Sequence, residues 1–205
     1  MEALLAFAAA LVALRLGGDV AARWRRRPAA SELVLWSGGL VAYALACAAL
    51  AWGAAAGWDA RAFRLYYVFG GLLTVPILGA GSLVRAGRRW AGPLALVYAG
   101  LALGVGIAVP VHGAFEPGGI PAAQGHLDFV PARLVAVLAN ALGTLALVVV
   151  ALATFRRRPL GNALLILGVA VAGGGSALAG LGEAETAAFV AVGAVLLYAG
   201  FVSAR

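Results

Sequence analysis

Apolar residues run through this chain in long, nearly unbroken stretches, separated by short clusters of arginine, glycine and proline. Seven stretches stand out, at 3–22, 31–56, 63–85, 92–112, 132–155, 160–182 and 185–203. None follows the two-residue alternation of a strand, and each is close to or above the ~20 residues needed to cross a hydrocarbon core. The pattern predicts an all-α integral membrane bundle of seven transmembrane helices, a single domain over residues 1–205, rather than a β-barrel.

The connections alternate in charge. One set holds Arg23, Arg25, Arg26, Arg27, Arg85, Arg88, Arg89, Arg156, Arg157, Arg158 and Arg205, and the opposite set holds Arg61, Arg64 and Arg133. The positive-inside rule then predicts that the first set is cytoplasmic, with the N-terminus outside and the C-terminus inside. Trp24, Trp36 and Trp90 fall near the predicted inner boundary, and Trp52 and Trp58 near the outer one, where amphipathic rings settle. The first apolar run follows Glu2 and precedes its arginines, the reverse of a signal peptide, so a retained helix is expected. A multi-pass protein of the plasma membrane is the expected location. Arg205 leaves almost no cytoplasmic tail, so a signal sent inward would pass through a membrane protein partner or a second copy of the chain.

Composition sharpens the class. Of 205 residues, 64% are hydrophobic and 11% charged, with mean hydropathy +1.00, which excludes a soluble enzyme, a disordered chain and a disulfide scaffold. All 15 basic residues are arginine, in the manner of a GC-rich bacterial genome. Without lysine there is no Schiff base to retinal or pyridoxal phosphate. The net charge of +7 is scattered between apolar runs, which suits lipid headgroups and not nucleic acid. Cys47 lies inside an apolar run and reads as a small buried hydrophobe.

Polar groups inside spans are the default candidates for function. Arg15 and Asp19 stand four apart in the first span and are read as a structural pair. The third span carries Arg64, Tyr67, Gly71 and Thr74 on one helical face, and Pro76 is expected to kink it. The fifth carries Asn140 and Thr144, again four apart, with the amide facing the interior. Arg64, Tyr67, Thr74, Asn140 and Thr144 together make a candidate outward-facing ligand pocket, with a cationic mouth above hydroxyl and amide groups. Packing is the competing reading of these residues. Tyr43, Tyr98 and Tyr198 are further candidates for lining an interior. Gly100-x-x-x-Gly104 permits close helix contact, and Gly173-Gly174-Gly175 marks a hinge or a close packing point.

The outer rim collects the ionisable residues Arg61, Arg64, His112, Glu116, His126, Asp128, Arg133, Glu183 and Glu185. His112 with Glu116, and His126 with Asp128, offer imidazole and carboxylate groups, but their spacing matches no standard metal signature. No cofactor is expected. There is no GxSxG, HExxH, CxxC or phosphate-binding glycine loop, so an enzyme is disfavoured.

The stretch from Arg64-Leu65-Tyr66-Tyr67 to Gly79-Ala80-Gly81-Ser82, ending in an arginine cluster, resembles the third helix of uncharacterised seven-helix bacterial membrane proteins. The resemblance covers helices 3 to 7 and implies topology without an activity. The plan is also similar to that of rhodopsins and the sugar facilitators, but it lacks the lysine of the first and any motif of the second. The leading expectation is a non-enzymatic ligand-binding sensor or accessory subunit. The alternative is a transporter for a small neutral solute. Its basis is the recurrence of Arg25-Arg26-Arg27-Pro28 as Arg156-Arg157-Arg158-Pro159, which suggests a three-plus-one-plus-three helix plan.

Overall fold

The structure is a computed structural model describing residues 2–116, 119–179 and 186–202, with backbone alone at 172–179, 186, 187, 198, 201 and 202. Glu183, Glu185 and Arg205 lie outside the described residues, as does the Tyr198 side chain. Helices α1 (Glu2–Arg26), α2 (Ser31–Ala56), α3 (Ala60–Arg85), α4 (Ala91–Ala108) and α5 (Phe129–Ala153) are each long and apolar enough to cross a membrane. Two more follow, α6 (Pro159–Ala179) and α7 (Thr186–Val202), and no strand occurs among the described residues.

Helix boundaries follow local chemistry. Asp59 caps α3, its carboxylate accepting the Ala62 N–H at 2.7 Å. Gly57 ends α2 at φ 92°, a backbone conformation open to glycine. The α4 helix stops at Ala108, short of the predicted residue 112, because Pro110 holds Val109 extended.

α1 pairs along α2, α6 along α7, and α7 returns against α1. The middle of the bundle is α3, which packs on α2, α4 and α5, while α5 meets α6 more lightly. One apolar cluster joins Leu16 and Val20 of α1, Leu40 of α2 and Leu78 of α3, with Leu147 of α5 and Leu165 of α6 against it. The turns after α1, α3 and α5 therefore share one end, the arginine-rich end, where Glu32 and Arg85 pair at 3.6 Å. At the opposite end, residues 109–116 and 119–128 form a cap.

α5 crosses α3 at glycine. A Cβ on Gly143 would stand 2.8 Å from the Val75 carbonyl oxygen, and one on Gly79 would stand 2.6 Å from the Gly143 oxygen. Only two glycines allow the backbones this close.

The structure bears on four of the sequence expectations. Arg15 and Asp19 do not form an ion pair among the described residues; arginine preceding the acid is the weaker order at this spacing. Gly100 and Gly104 meet no atom within 4 Å of an added Cβ, so this stripe packs against nothing else in the described chain. Gly173 to Gly175 lie inside the continuous helix α6 and do not break it. The expected kink at Pro76 takes the form of a π-helical segment, Tyr67–Thr74, immediately before the proline's turn.

Candidate functional site

Pro76 has no N–H to offer the Leu72 carbonyl one turn earlier. The wider π-helical turn alters the neighbouring hydrogen bonds, and side chains from three helices fill the gap. The Tyr98 hydroxyl of α4 donates to the Leu72 carbonyl at 2.7 Å. Asn140 of α5 donates through Nδ2 to the Gly71 carbonyl and to its own Ala136 carbonyl, the second at 2.8 Å. The Thr74 hydroxyl reaches back five residues to the Phe69 carbonyl at 2.7 Å. An intramembrane carbonyl left without a donor costs free energy, so these three side chains stabilise the irregular turn.

Arg64 performs a related task at the cap end. Its Nη1 donates to the carbonyls of Gly106, Ile107 and Val109, the last two at 2.9 Å. These are the acceptors left over at the C-terminus of α4, where a cation also opposes the negative end of the helix dipole. Gly106 is needed here, because a Cβ would collide with Val68 of α3.

Beside Arg64 lies a small cavity of about 10 Å³, roughly the room for one water. Its walls are Phe63, Arg64, Tyr67 and Val68 of α3, Val105 and Gly106 of α4, Val109, Val111 and Leu127 of the cap, and Ala132 of α5. Phe63 is fully buried and stacks on Tyr67 at a ring separation of 6.0 Å. The Tyr67 hydroxyl makes no hydrogen bond among the described residues and stays available.

The cap above is held by its histidines. His126 stacks on Phe115 at 4.3 Å and contacts Phe63 at 5.2 Å, and its Nδ1 bonds the His112 carbonyl at 2.8 Å. His112 returns its backbone N–H to the His126 carbonyl at 2.9 Å, and its ring faces Asp128 at 3.5 Å. The sequence pairs His112–Glu116 and His126–Asp128 are thus exchanged for a cross-hairpin arrangement. The described residues contain no group of three or more metal-ligating side chains.

Four of the five candidate residues fall into two layers. Arg64 and Tyr67 line the cavity, whereas Thr74 and Asn140 are engaged by the π-helical carbonyls beneath it. Thr144 lies half-buried one turn beyond Asn140, outside the cavity lining. The apolar lining at Phe63, Val105, Val109 and Leu127 carried no signal in a sequence where such residues are everywhere; the Phe63–Tyr67 spacing of one helical turn was the readable hint. Tyr43 and Tyr98 turn out to donate to backbone carbonyls, Tyr43 to Val190 of α7 at 2.8 Å. No family model, curated protein or solved structure matches this chain.

Proposed function

We propose that the chain is a seven-span protein of the plasma membrane, with its cap outside and its arginine-rich turns in the cytoplasm. It acts as a non-enzymatic ligand-binding sensor or accessory subunit, working through a membrane partner. Its site is the cavity under the cap, which holds about one water as it stands, so a small, mainly apolar ligand with one polar group would enter by displacing the cap residues above it. Arg64 supplies positive charge, Tyr67 a free hydroxyl, and Phe63, Val105 and Val109 an apolar wall. Thr74 and Asn140 contribute from below, by holding the α3 turn that follows Tyr67, while Thr144 stands one turn further along α5.

The observation that carries this reading is the cavity itself. Its lining surface is entirely apolar, with the side chains of Arg64 and Tyr67 among the residues that border it at the cap end. The transporter alternative draws less support from the packing. The inner half of the bundle is filled by Leu16, Leu40, Leu78, Leu147 and Leu165, and the close α1–α2 pairing has no counterpart in α5–α6.

Native mass spectrometry of protein extracted gently from its own membranes tests the proposal. A retained small molecule, lost on Ala132→Phe and weakened by Tyr67→Phe, is the expected result. Retention unaffected by both changes would refute the cavity as its site. Solute uptake by reconstituted vesicles would favour the transporter.

A further inference from the structure

Arg133 stands where the cap hands the chain to α5, directly after Ala132, which lines the cavity. Its neighbours along the helix place it on a border. Ala136, three residues on, is buried against α3 and α4, whereas Val137, four residues on, is 60% exposed. The Arg133 side chain is half-buried, with its guanidinium carbon 5.5 Å from the centre of the exposed Phe129 ring. Among the described residues it has no hydrogen bond and no ion pair, and its nitrogens remain accessible. The Tyr67 phenol, also without a hydrogen bond, lies within its electrostatic reach.

The other charges at this end are placed elsewhere. Arg64 is tied through Nη1 to the three carbonyls that close α4. Asp59 caps α3, Asp128 faces His112, and Arg61 and Glu116 are exposed. A half-buried guanidinium beside apolar surface has a strong demand for an anion, and the free phenol is a second donor next to it. One positive charge and two donor groups complement a carboxylate, which offers one negative charge and two oxygens. A phosphate dianion would leave a charge unmatched against the apolar lining, and an alcohol would leave the guanidinium uncompensated.

We infer that Arg133 and Tyr67 select a carboxylate as the polar group of the ligand, which is then an apolar monocarboxylic acid. This deepens the reading of the cavity given above and rests on it for the place of the apolar body. The Arg133 guanidinium and the Tyr67 hydroxyl donate to the carboxylate oxygens at the base of the cap. Phe63, Val105 and Val109 receive the hydrocarbon as the cap moves aside. Phe129 holds the guanidinium in place through its ring face. Arg64 adds field without contact, since turning to the ligand would release the end of α4.

The test is native mass spectrometry of the full chain at neutral pH, equilibrated with equal amounts of decanoic acid and decanol. The wild type should retain decanoate about tenfold in preference to the alcohol. Arg133→Gln should abolish that preference and Tyr67→Phe should reduce it severalfold, while Arg61→Gln, at an exposed position, should keep it. If Arg133→Gln does not yield monodisperse protein, Arg133→Lys gives the reading, since it keeps the charge and loses the fork; a preference reduced severalfold is expected. No retention of either probe by the wild type, or a preference unchanged in both Arg133 variants, overturns the inference. Equal retention of the two probes, lost in Ala132→Phe, overturns it and leaves the cavity standing. A decanoate preference that depends on Arg133 but survives Ala132→Phe upholds the carboxylate contact and refutes the cavity as the seat of the apolar body.

Discussion

The Tyr98 hydroxyl sits 2.7 Å from the Leu72 carbonyl, the acceptor that Pro76 cannot serve. A defect in one helix is thereby repaired by its neighbour. Tyr98→Phe should lower stability by about 1–3 kcal/mol, the usual cost of stranding a buried acceptor. Restoring an N–H with Pro76→Ala should shrink that loss. Thermal unfolding of the four proteins of this double-mutant cycle in detergent measures the coupling, and purely additive effects would show that the hydroxyl does not compensate for the proline.

Asn140 ties α5 to the Gly71 carbonyl of α3. Asn140→Leu fills a similar volume but removes the donor, and should cost about 1–3 kcal/mol. The same unfolding assay applies. Thr144→Val, one turn away and without a side-chain hydrogen bond among the described residues, should fall below that cost.

The Gly79–Gly143 crossing leaves no room for a side chain. Gly143→Val should therefore destabilise by at least ~1–3 kcal/mol and push α5 away from α3. Gly104→Val, where an added Cβ meets nothing within 4 Å, is expected to be nearly silent. Size-exclusion profiles of the two variants make the comparison directly.

Arg64 closes the end of α4 through Gly106, Ile107 and Val109. Arg64→Met should loosen that end without unfolding the bundle. Hydrogen exchange of peptides across residues 105–112 should speed up, while peptides from α1 and α2 should not change. Uniform acceleration would mean that Arg64 supports the whole fold.

Cys47 is buried, 2% exposed, which makes thiol labelling a clean reporter of topology after Cys47→Ala. With the cap outside, Gln124→Cys should react with a membrane-impermeant maleimide on intact cells. Ala29→Cys, in the first arginine-rich turn, should react only after lysis. The reverse pattern would invert the proposed orientation.

Helix positions were readable because apolar run length is a strong physical constraint in a chain like this one. The stretches at 31–56 and 63–85 match α2 and most of α3. What the interior polar groups do was less readable. Thr74 and Asn140 stood out correctly as costly to bury, yet their partners are backbone carbonyls freed by a π-helical turn. That turn depends on Tyr98 and Asn140 arriving from other helices, and no local pattern encodes it. The Gly100–Gly104 stripe misleads for the opposite reason: it is permissive of contact, but α4 lies at the periphery and points those glycines away.

The return of α7 against α1 has a consequence for biogenesis. Tyr43 donates to Val190, 147 positions later, and Ala9, Ala10 and Ala13 of α1 share a cluster with Ala194. During synthesis, α1 and α2 enter the bilayer long before their neighbour exists. Until then the phenol has no carbonyl to bind and the alanine face is bathed in lipid. The hairpin must wait, half-finished, for the ribosome to deliver its closing helix, and a quality-control protease would find it most vulnerable in that interval.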